Sequence, residues 1–200
     1  MKKIILSAAG IVLLASITLF GACQVRSGST YKTFSMTEGI AHFSFEYPSK
    51  YEITDYYSDN EILTVTLTEP FNKQAKDSTK ISVGIVPGNE NYPQDYINSL
   101  IRKRSSDPDF NLQELEQADL FVSGKQAKLF VYQERDLGRI MAGVYYGTNE
   151  DISTLNEIIR EAIFYYNNLA WVIAIDSDSS TAEVDKADFD HVIQTFKILE

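Results

Sequence analysis

Polar and apolar residues alternate along several short stretches in the first half of the chain. The alternation is clearest at residues 42–47, where aromatic side chains occupy every second position up to Pro48. Residues 62–68 and 80–86 alternate in the same way. Residues 52–57 are predicted to form a short partner strand to residues 42–47. A period of two is typical of strands with one buried face, so the Thr and Ser side chains in these stretches are expected to face solvent.

The second half of the chain predicts further strands and one segment that is unusually apolar. Residues 170–175 are apolar on both sides of an extended chain, which indicates a central strand that is covered on both faces. Asn167 and Asn168 precede this segment and favour a tight hairpin turn. The remaining strands are predicted at residues 112–122, 125–135, 139–146 and 158–166.

Two stretches have the spacing of amphipathic helices instead. Residues 91–106 form the first, and the capping-box pattern Ser-Thr-Ala-Glu that begins at Ser180 opens the second. Arg102, Lys103 and Arg104 suit the negative end of the first helix dipole, although they could also form a docking patch. The apolar stripes consist of Tyr96, Ile97, Leu100 and Ile101 in the first helix and Phe189, Val192, Ile193 and Phe196 in the second.

These elements predict an α+β fold in which an antiparallel β-sheet is flanked by helices. Each helix has one apolar stripe, and a sheet that buries such a stripe is the simplest way to remove it from water. We expect the two helices to pack against one large sheet. The prediction includes no internal repeat and no second domain.

The first 22 residues have the layout of a secretory signal. Lys2 and Lys3 precede an uncharged run of apolar and small residues that extends from Ile4 to Ala22. An uncleaved membrane helix is the alternative, because about 20 apolar residues span a bilayer. The bulky Phe20 argues against cleavage after Ala22 by the ordinary signal peptidase, which favours small residues at both positions that flank its cut.

The segment from Leu19 to Cys23 resembles the lipobox of bacterial lipoproteins, in which apolar and small residues precede a cysteine. In that family the cysteine is diacylated, so the resemblance implies lipidation of Cys23 and anchoring at the cell membrane on the extracytoplasmic side. Cys23 is the only cysteine, which excludes an intrachain disulfide. The alternative is that Cys23 is simply a small apolar residue at the end of the run.

These features divide the chain into a lipoprotein signal peptide at residues 1–22, a flexible tether at residues 23–32 and a single domain at residues 33–200. Lys2 and Lys3 leave with the signal, so 16 of the 18 basic residues remain against 28 acidic residues, a net charge of −12. This acidic balance argues against nucleic acid and against an anionic lipid surface as the binding partner of the domain.

The sequence offers few residues for catalysis or metal binding. His42 and His191 are the two histidines, and both fall on predicted polar faces outside any metal-ligand spacing. No common nucleophile, phosphate-binding, dinucleotide-binding or zinc-protease motif occurs. Residues 176–180 imitate the start of a calcium loop, but Thr181 replaces its glycine and Ala187 its bidentate glutamate. We therefore predict no enzymatic activity, no metal site and no cofactor.

Two tyrosine pairs, Tyr56–Tyr57 and Tyr145–Tyr146, have two possible roles. Paired aromatic residues stabilise sheets by packing against neighbouring strands, and this burial is the favoured prediction. Exposed pairs would instead form a contact surface for carbohydrate or protein.

Three segments of the chain resemble the PsbP-like family. The sequence FSFEYPSKY at residues 43–51 resembles its first strand and the proline turn that follows. The sequences SGKQA at residues 123–127 and LFVY at residues 129–132 resemble a later turn and strand. Residues 161–198 resemble its closing strands and last helix, so the resemblance covers nearly all of the predicted domain.

The resemblance implies an α/β/α sandwich around an antiparallel sheet and a non-catalytic accessory or assembly role. Nothing in the sequence indicates photosynthesis, and no binding residue of the family can be transferred to this chain. We expect a membrane-anchored domain whose partners are the membrane, through lipid on Cys23, and another envelope protein. The alternative is a lipoprotein that binds a small ligand or glycan in an aromatic-lined pocket. A shallow apolar patch favours the first role, and a deep pocket with converging polar groups favours the second.

Overall fold

A computed structural model of the chain describes residues 30–37, 39–59, 61–70, 79–107, 109–135 and 156–199. Within these ranges the chain forms ten strands and two helices, and the strand pairs are antiparallel. In chain order the elements are β1 (Tyr31–Met36), β2 (Phe43–Pro48), β3 (Glu52–Ser58), β4 (Leu63–Thr68), β5 (Lys80–Pro87), α1 (Tyr92–Arg104), β6 (Gln113–Val122), β7 (Lys125–Arg135), β8 (Asn156–Tyr166), β9 (Leu169–Asp178), α2 (Ala182–Thr195) and β10 (Lys197–Ile198).

The large sheet has seven strands in the order β3-β4-β5-β9-β8-β7-β6. Its middle strand is β9, which confirms the prediction that the apolar segment 170–175 forms a central strand. Trp171 packs into the core on one face of the sheet, and Val172 packs against the cluster on the other face. A strand that is covered on both faces has no polar side to show, which explains why this segment lacks the alternation seen elsewhere.

The predicted large sheet is present, and a second, three-stranded sheet that was not predicted has the order β1-β2-β10. Residues 52–57 do not pair with β2 as predicted, because β3 pairs with β4 in the large sheet. The chain changes layers in the turn after Pro48, where Tyr51 is fully buried and its backbone N–H donates to the Pro48 carbonyl at 3.1 Å. The side chain of Tyr51 is fixed by a hydrogen bond from its Oη to Asp188 of α2 at 3.0 Å.

The two helices cover opposite faces of the large sheet. On one face, Ile97 of α1 packs into a cluster with Phe130 and Ile163. On the other face, α2 and the small sheet lie in one layer and bury the main core, which includes Phe43 and Phe196. The predicted apolar stripes therefore match the buried faces, and the predicted α+β class is confirmed.

The predicted cap of the second helix is wrong. Helix α2 begins at Ala182, and its N-cap residue is Thr181, which makes no side-chain capping bond. The hydroxyl and the backbone N–H of Ser180 bond to Asp178 instead, the N–H at 2.7 Å. The preceding aspartate thus forms a local turn that competes with the capping box for the same serine.

Two other predictions meet the edge of the described region. Strand β1 begins at Tyr31, two residues before the predicted start of the domain, and Thr30 is the first residue that the structure describes. The signal peptide, most of the tether, the strand predicted at 139–146 and the pair Tyr145–Tyr146 lie outside the described residues.

Candidate functional site

An apolar patch is exposed along β3, an edge strand of the large sheet. Ile53, Tyr56, Tyr57 and Ile62 are each between 40 and 53 % exposed, so the predicted burial of the pair Tyr56–Tyr57 was wrong. The reason is the strand order, because among the described strands β3 has a neighbour on one side only, and Tyr56 pairs with Val65 of β4 at the rim of the core. We call these four residues the β3 patch.

The charged residues in the sequence around the β3 patch, from position 51 to 62, are all acidic. Glu52, Asp55, Asp59 and Glu61 lie within or next to it, and residues 51–62 contain no lysine or arginine. Asp59 is held in place by the Tyr57 hydroxyl at 2.7 Å, and it also accepts the backbone N–H groups of the two residues after position 60. These hydrogen bonds lower the pKa of Asp59, so its carboxylate stays charged at neutral pH.

An open groove lies where the hairpin between β8 and β9 approaches the small sheet. Its volume is about 400 Å³, and polar and apolar surface contribute to its walls in similar proportion. Trp171 contributes little surface to it, because this side chain is 1 % exposed and its Nε1 donates to the Tyr166 carbonyl at 3.4 Å. The groove is lined by Gly39, Ile40, Ala41, His42, Tyr166, Asn167, Leu169, Trp171, Ile198 and Leu199.

A buried polar cluster lies between α1 and the large sheet. Glu161 of β8 is 5 % exposed, and its Oε1 accepts a hydrogen bond from the Tyr96 hydroxyl at 3.0 Å. The other oxygen, Oε2, is buried and has no hydrogen-bond partner. At the end of α1, Arg104 Nη1 donates to both carboxylate oxygens of Glu134, at 2.8 and 2.7 Å. Arg104 therefore forms an ion pair with the sheet in addition to suiting the helix dipole.

Burial raises the pKa of Glu161 to about 7, because a carboxylate loses its hydration when it leaves water. The hydrogen bond from Tyr96 and the positive charge of Arg104 oppose this shift only in part. Burial and the nearby Glu161 also raise the pKa of Tyr96 and Tyr132 above the ordinary range, so both phenols stay protonated. Carboxyl groups with a shifted pKa are frequent in functional sites. Glu161 is enclosed between α1 and the sheet, so its protonation is expected to affect how α1 packs.

A second charged cluster joins the turn after β2 to α2. Lys50 Nζ lies 3.1 Å from Glu69, 3.0 Å from Asp188 and 3.6 Å from Asp185. Burial works against the charge of Lys50, yet Asp188 and Glu69 raise its pKa above the ordinary value. The Thr79 hydroxyl donates to Oδ2 of the buried Asp185 at 2.9 Å, so both carboxylate oxygens of Asp185 have a partner. The cluster anchors α2 over the edge of the sheet.

Neither histidine takes part in the two charged clusters. His42 is exposed at the rim of the groove, as the alternation of its strand predicts. His191 is half-buried rather than exposed, because α2 lies beside β2 and not above solvent. Its ring stacks on Tyr31 with centroids 3.8 Å apart, and its Nε2 is 3.2 Å from a Glu46 oxygen.

In the part of the chain that the structure describes, no group of three or more His, Cys, Asp or Glu side chains is placed to hold a metal ion. Neither described helix is long and apolar enough to cross a membrane. The acidic turn at residues 176–180 serves the start of α2, where Asp178 accepts hydrogen bonds from Ser180.

Comparison with known proteins places the fold. No protein-family model and no curated protein sequence matches this chain. Among solved structures, cyanobacterial PsbP (CyanoP) from Synechocystis superposes with a TM-score of 0.53 at 11 % identity, covering 90 % of this chain and 99 % of CyanoP. This is a Mog1/PsbP-like α+β fold.

Two other solved structures share the Mog1/PsbP-like fold. LpqN of Mycobacterium tuberculosis has a TM-score of 0.52 at 9 % identity, covering 85 % of this chain and 92 % of LpqN. The Ran-binding protein Mog1p of Saccharomyces cerevisiae has a TM-score of 0.50 at 9 % identity, covering 86 % of this chain and 97 % of Mog1p. At such identities the likeness concerns the fold alone. The resemblance to PsbP-like sequences is thus supported at the level of architecture.

The sequence contained a signal for one feature of this Mog1/PsbP-like domain that the pattern analysis missed. By the alternation of a strand, Glu161 shares a face with Ile159 and Ile163 while Arg160 lies on the other face, and a carboxyl group on such an apolar face indicates a buried acid. The cluster around Lys50 had no such signal, because Lys50, Glu69 and the two aspartates of α2 come from three segments, and α2 is far from the other two in the chain.

Proposed function

We propose that the protein is a lipid-anchored envelope protein whose folded domain binds another envelope protein and catalyses no reaction. The observation that carries this proposal is the β3 patch. Four large apolar side chains are exposed within ten positions of a chain that otherwise presents an acidic surface. Grouped apolar residues on the surface of a soluble domain indicate a contact site, since single exposed apolar residues are common but groups are not.

The position of the anchor supports the same role. Cys23 precedes Thr30 by seven residues, which span at most about 25 Å when extended. Thr30 is fixed to the domain through its carbonyl, which accepts the backbone N–H of Ser49 at 2.8 Å. Strand β3 begins three residues after Ser49 and extends away from this point. An anchored domain would therefore keep the β3 patch within reach of neighbouring proteins of the same membrane.

LpqN, whose fold is similar, is involved in cell envelope biogenesis. A comparable envelope role for this chain is consistent with its lipobox-like segment. The proposal itself rests on Cys23 and the β3 patch, because identity of 9 % supports the fold and not the activity.

The proposal is tested by site-specific cross-linking in intact cells that produce the full chain. We expect a photo-reactive phenylalanine analogue at Tyr57 to join the protein to another envelope protein, and the adduct to decrease when Cys23→Ser releases the domain from the membrane. The matched control is the same analogue at Val184, which is 50 % exposed on α2 and outside the patch. Equal adducts at the two positions, or none at Tyr57, would contradict the proposed function.

The groove favours a second candidate function, the binding of a small ligand or glycan. Its volume of about 400 Å³ falls within the usual range for ligand sites, and His42 and Asn167 supply polar groups at its wall. Trp171 is the only tryptophan and lies in this wall, so its fluorescence reports on occupancy. A ligand-binding role predicts a change in this emission with envelope extracts, together with no cross-link from Tyr57.

A further inference from the structure

Resting on the proposed function, we propose that the outer edge of β3 receives an extended, basic segment of the partner protein as an eighth strand of the large sheet. The inference rests on three features: among the described strands β3 has no neighbour along its outer side, apolar side chains project from both of its faces, and the charged residues at positions 51–62 are all acidic. Each of these features contributes one requirement for the partner.

The free edge supplies the hydrogen-bonding groups. Strand β3 pairs with β4 along one side, and within the described residues no strand lies along its other side. Alternate residues of an edge strand direct their N–H and C=O groups outward, where an added antiparallel or parallel strand can bond to them. Peptide recognition by strand addition gains its affinity from such main-chain bonds and its specificity from the flanking side chains.

The register of the added strand is limited by a bulge. The pairing with β4 shifts between Ile53 and Asp55, which leaves Thr54 as the extra residue. The Thr54 hydroxyl lies 2.7 Å from the hydroxyl of Thr68 and so ties the bulge to β4. The regular part of the edge is therefore Asp55–Ser58, and the partner segment is expected to pair there.

The side chains on this regular part clamp both faces of an added strand. Tyr56 pairs with the core residue Val65, and Tyr57 pairs with Thr64, so the two rings project from opposite faces of the sheet. Side chains on an adjacent strand lie about 5 Å from those opposite them, well within the reach of a tyrosine ring. A segment added beside β3 therefore contacts both tyrosines, whereas a partner that covers one face contacts one.

The charges select a basic segment over a second copy of this chain. Residues 51–62 contain four acidic residues and no lysine or arginine. Pairing of two β3 edges would place these carboxylates close together, and like charges on adjacent strands are destabilising. Lysine or arginine in the partner would instead be complementary and would increase the association rate.

The other edge of the large sheet provides the comparison. Strand β6 also has one neighbour and exposed apolar residues, including Phe121. Of its three acidic residues, Glu114, Glu116 and Asp119, the last already pairs with Lys128 at 2.7 Å. The β6 edge therefore already has a lysine beside it, whereas residues 51–62 around β3 contain none. This difference makes β6 a control for the charge variants of β3.

The test uses the full chain in intact cells, with the photo-reactive phenylalanine analogue placed singly at Tyr56 and at Tyr57. We expect both positions to cross-link to one partner, and mass spectrometry to locate both adducts in the same lysine- or arginine-containing segment. The double variant Glu52→Lys with Asp55→Lys is expected to lower both adduct yields by about threefold or more, because two exposed attractions become repulsions. The neutral pair Glu52→Gln with Asp55→Asn should give an intermediate yield, and Glu116→Lys on β6 should leave the yields unchanged.

The outcomes separate this inference from the proposed function. Adducts at neither tyrosine would overturn both. Adducts at one tyrosine only, yields that do not respond to the β3 charges, or cross-links to a second copy of this chain would overturn strand addition by a basic segment. If only one tyrosine is cross-linked and the adduct contains another envelope protein, strand addition is overturned but the proposed function stands.

Discussion

Replacement of Trp171 by alanine is expected to lower the free energy of unfolding by about 3–5 kcal/mol. Trp171 is 1 % exposed at the centre of the middle strand of the large sheet. Its ring stacks on Phe164 with centroids 5.5 Å apart, and it meets Phe43 and Phe196 edge-on at 5.7 and 5.9 Å. The loss combines the lost burial of the indole with a cavity between two rigid layers that cannot close over it.

This loss is measured by urea unfolding followed by circular dichroism, since the variant has no tryptophan fluorescence. The control is Phe121→Ala on β6 of the same sheet, where the side chain is 72 % exposed and the expected change is within about 0.5 kcal/mol. A loss for Trp171→Ala no greater than that of the control would contradict the central position of β9 and the joining of the two layers through this residue.

The second large effect is a dependence of stability on pH that Glu161 creates and Glu161→Gln removes. The folded protein raises the pKa of this carboxyl to about 7, so it holds the proton more tightly than the unfolded chain does. The resulting stabilisation is fully present below the ordinary pKa of 4.5 and is lost as the pH rises through about 7. At pH 8 the folded state must carry a buried negative charge, at a cost of about 3 kcal/mol relative to pH 4.5.

Glutamine has nearly the same shape as glutamate and does not ionise, so its variant lacks this contribution. We expect the difference in unfolding free energy between Glu161→Gln and the wild type to move in favour of the variant by about 3 kcal/mol between pH 4.5 and pH 8. Urea unfolding at a series of pH values measures it. The other titrating groups, including Glu134, are present in both proteins, and an unpartnered amide in the variant adds an offset that does not depend on pH. Parallel curves for the two proteins would contradict the burial of an ionising Glu161.

Local patterns were sufficient to predict most of the strands and both helices. Alternation placed β2, β4 and β5, because each has one face toward the core and the period of two records that geometry. The apolar segment around Trp171 predicted the middle strand for the complementary reason. The helix stripes around Ile97 and Phe189 likewise correspond to the faces that pack on the sheet.

The pattern of polar and apolar residues does not determine the order of strands in a sheet. The wrong predictions of pairing and exposure follow from this. Nothing in residues 52–57 distinguishes an edge strand of one sheet from a partner of β2 in another, yet this choice decides whether Tyr56 is buried or exposed. In the same way, His191 is on the polar side of its helix but packs on Tyr31, since α2 lies beside the small sheet. Contacts between distant segments decide such placements, and a single sequence does not record them.

Of the proposed functional features, the sequence alone indicated only the lipid anchor, which stays a prediction. The segment before Cys23 supports lipidation by resemblance, independently of the fold. The β3 patch emerges when the sheet is assembled, because its exposure depends on the absence of a second neighbour for β3 among the described strands. The buried acid Glu161 was predictable in part. Its sequence context indicates burial, but its partner Tyr96 comes from another element.

The central claim is that the domain acts from a membrane to which Cys23 attaches it. The most direct test is the intact mass of the mature protein, with the wild type measured beside Cys23→Ser. The account predicts a wild-type chain that begins at residue 23 and carries acyl chains, and a variant that lacks them. An unmodified secreted chain, or a chain that retains residues 1–22, would contradict the lipid anchor.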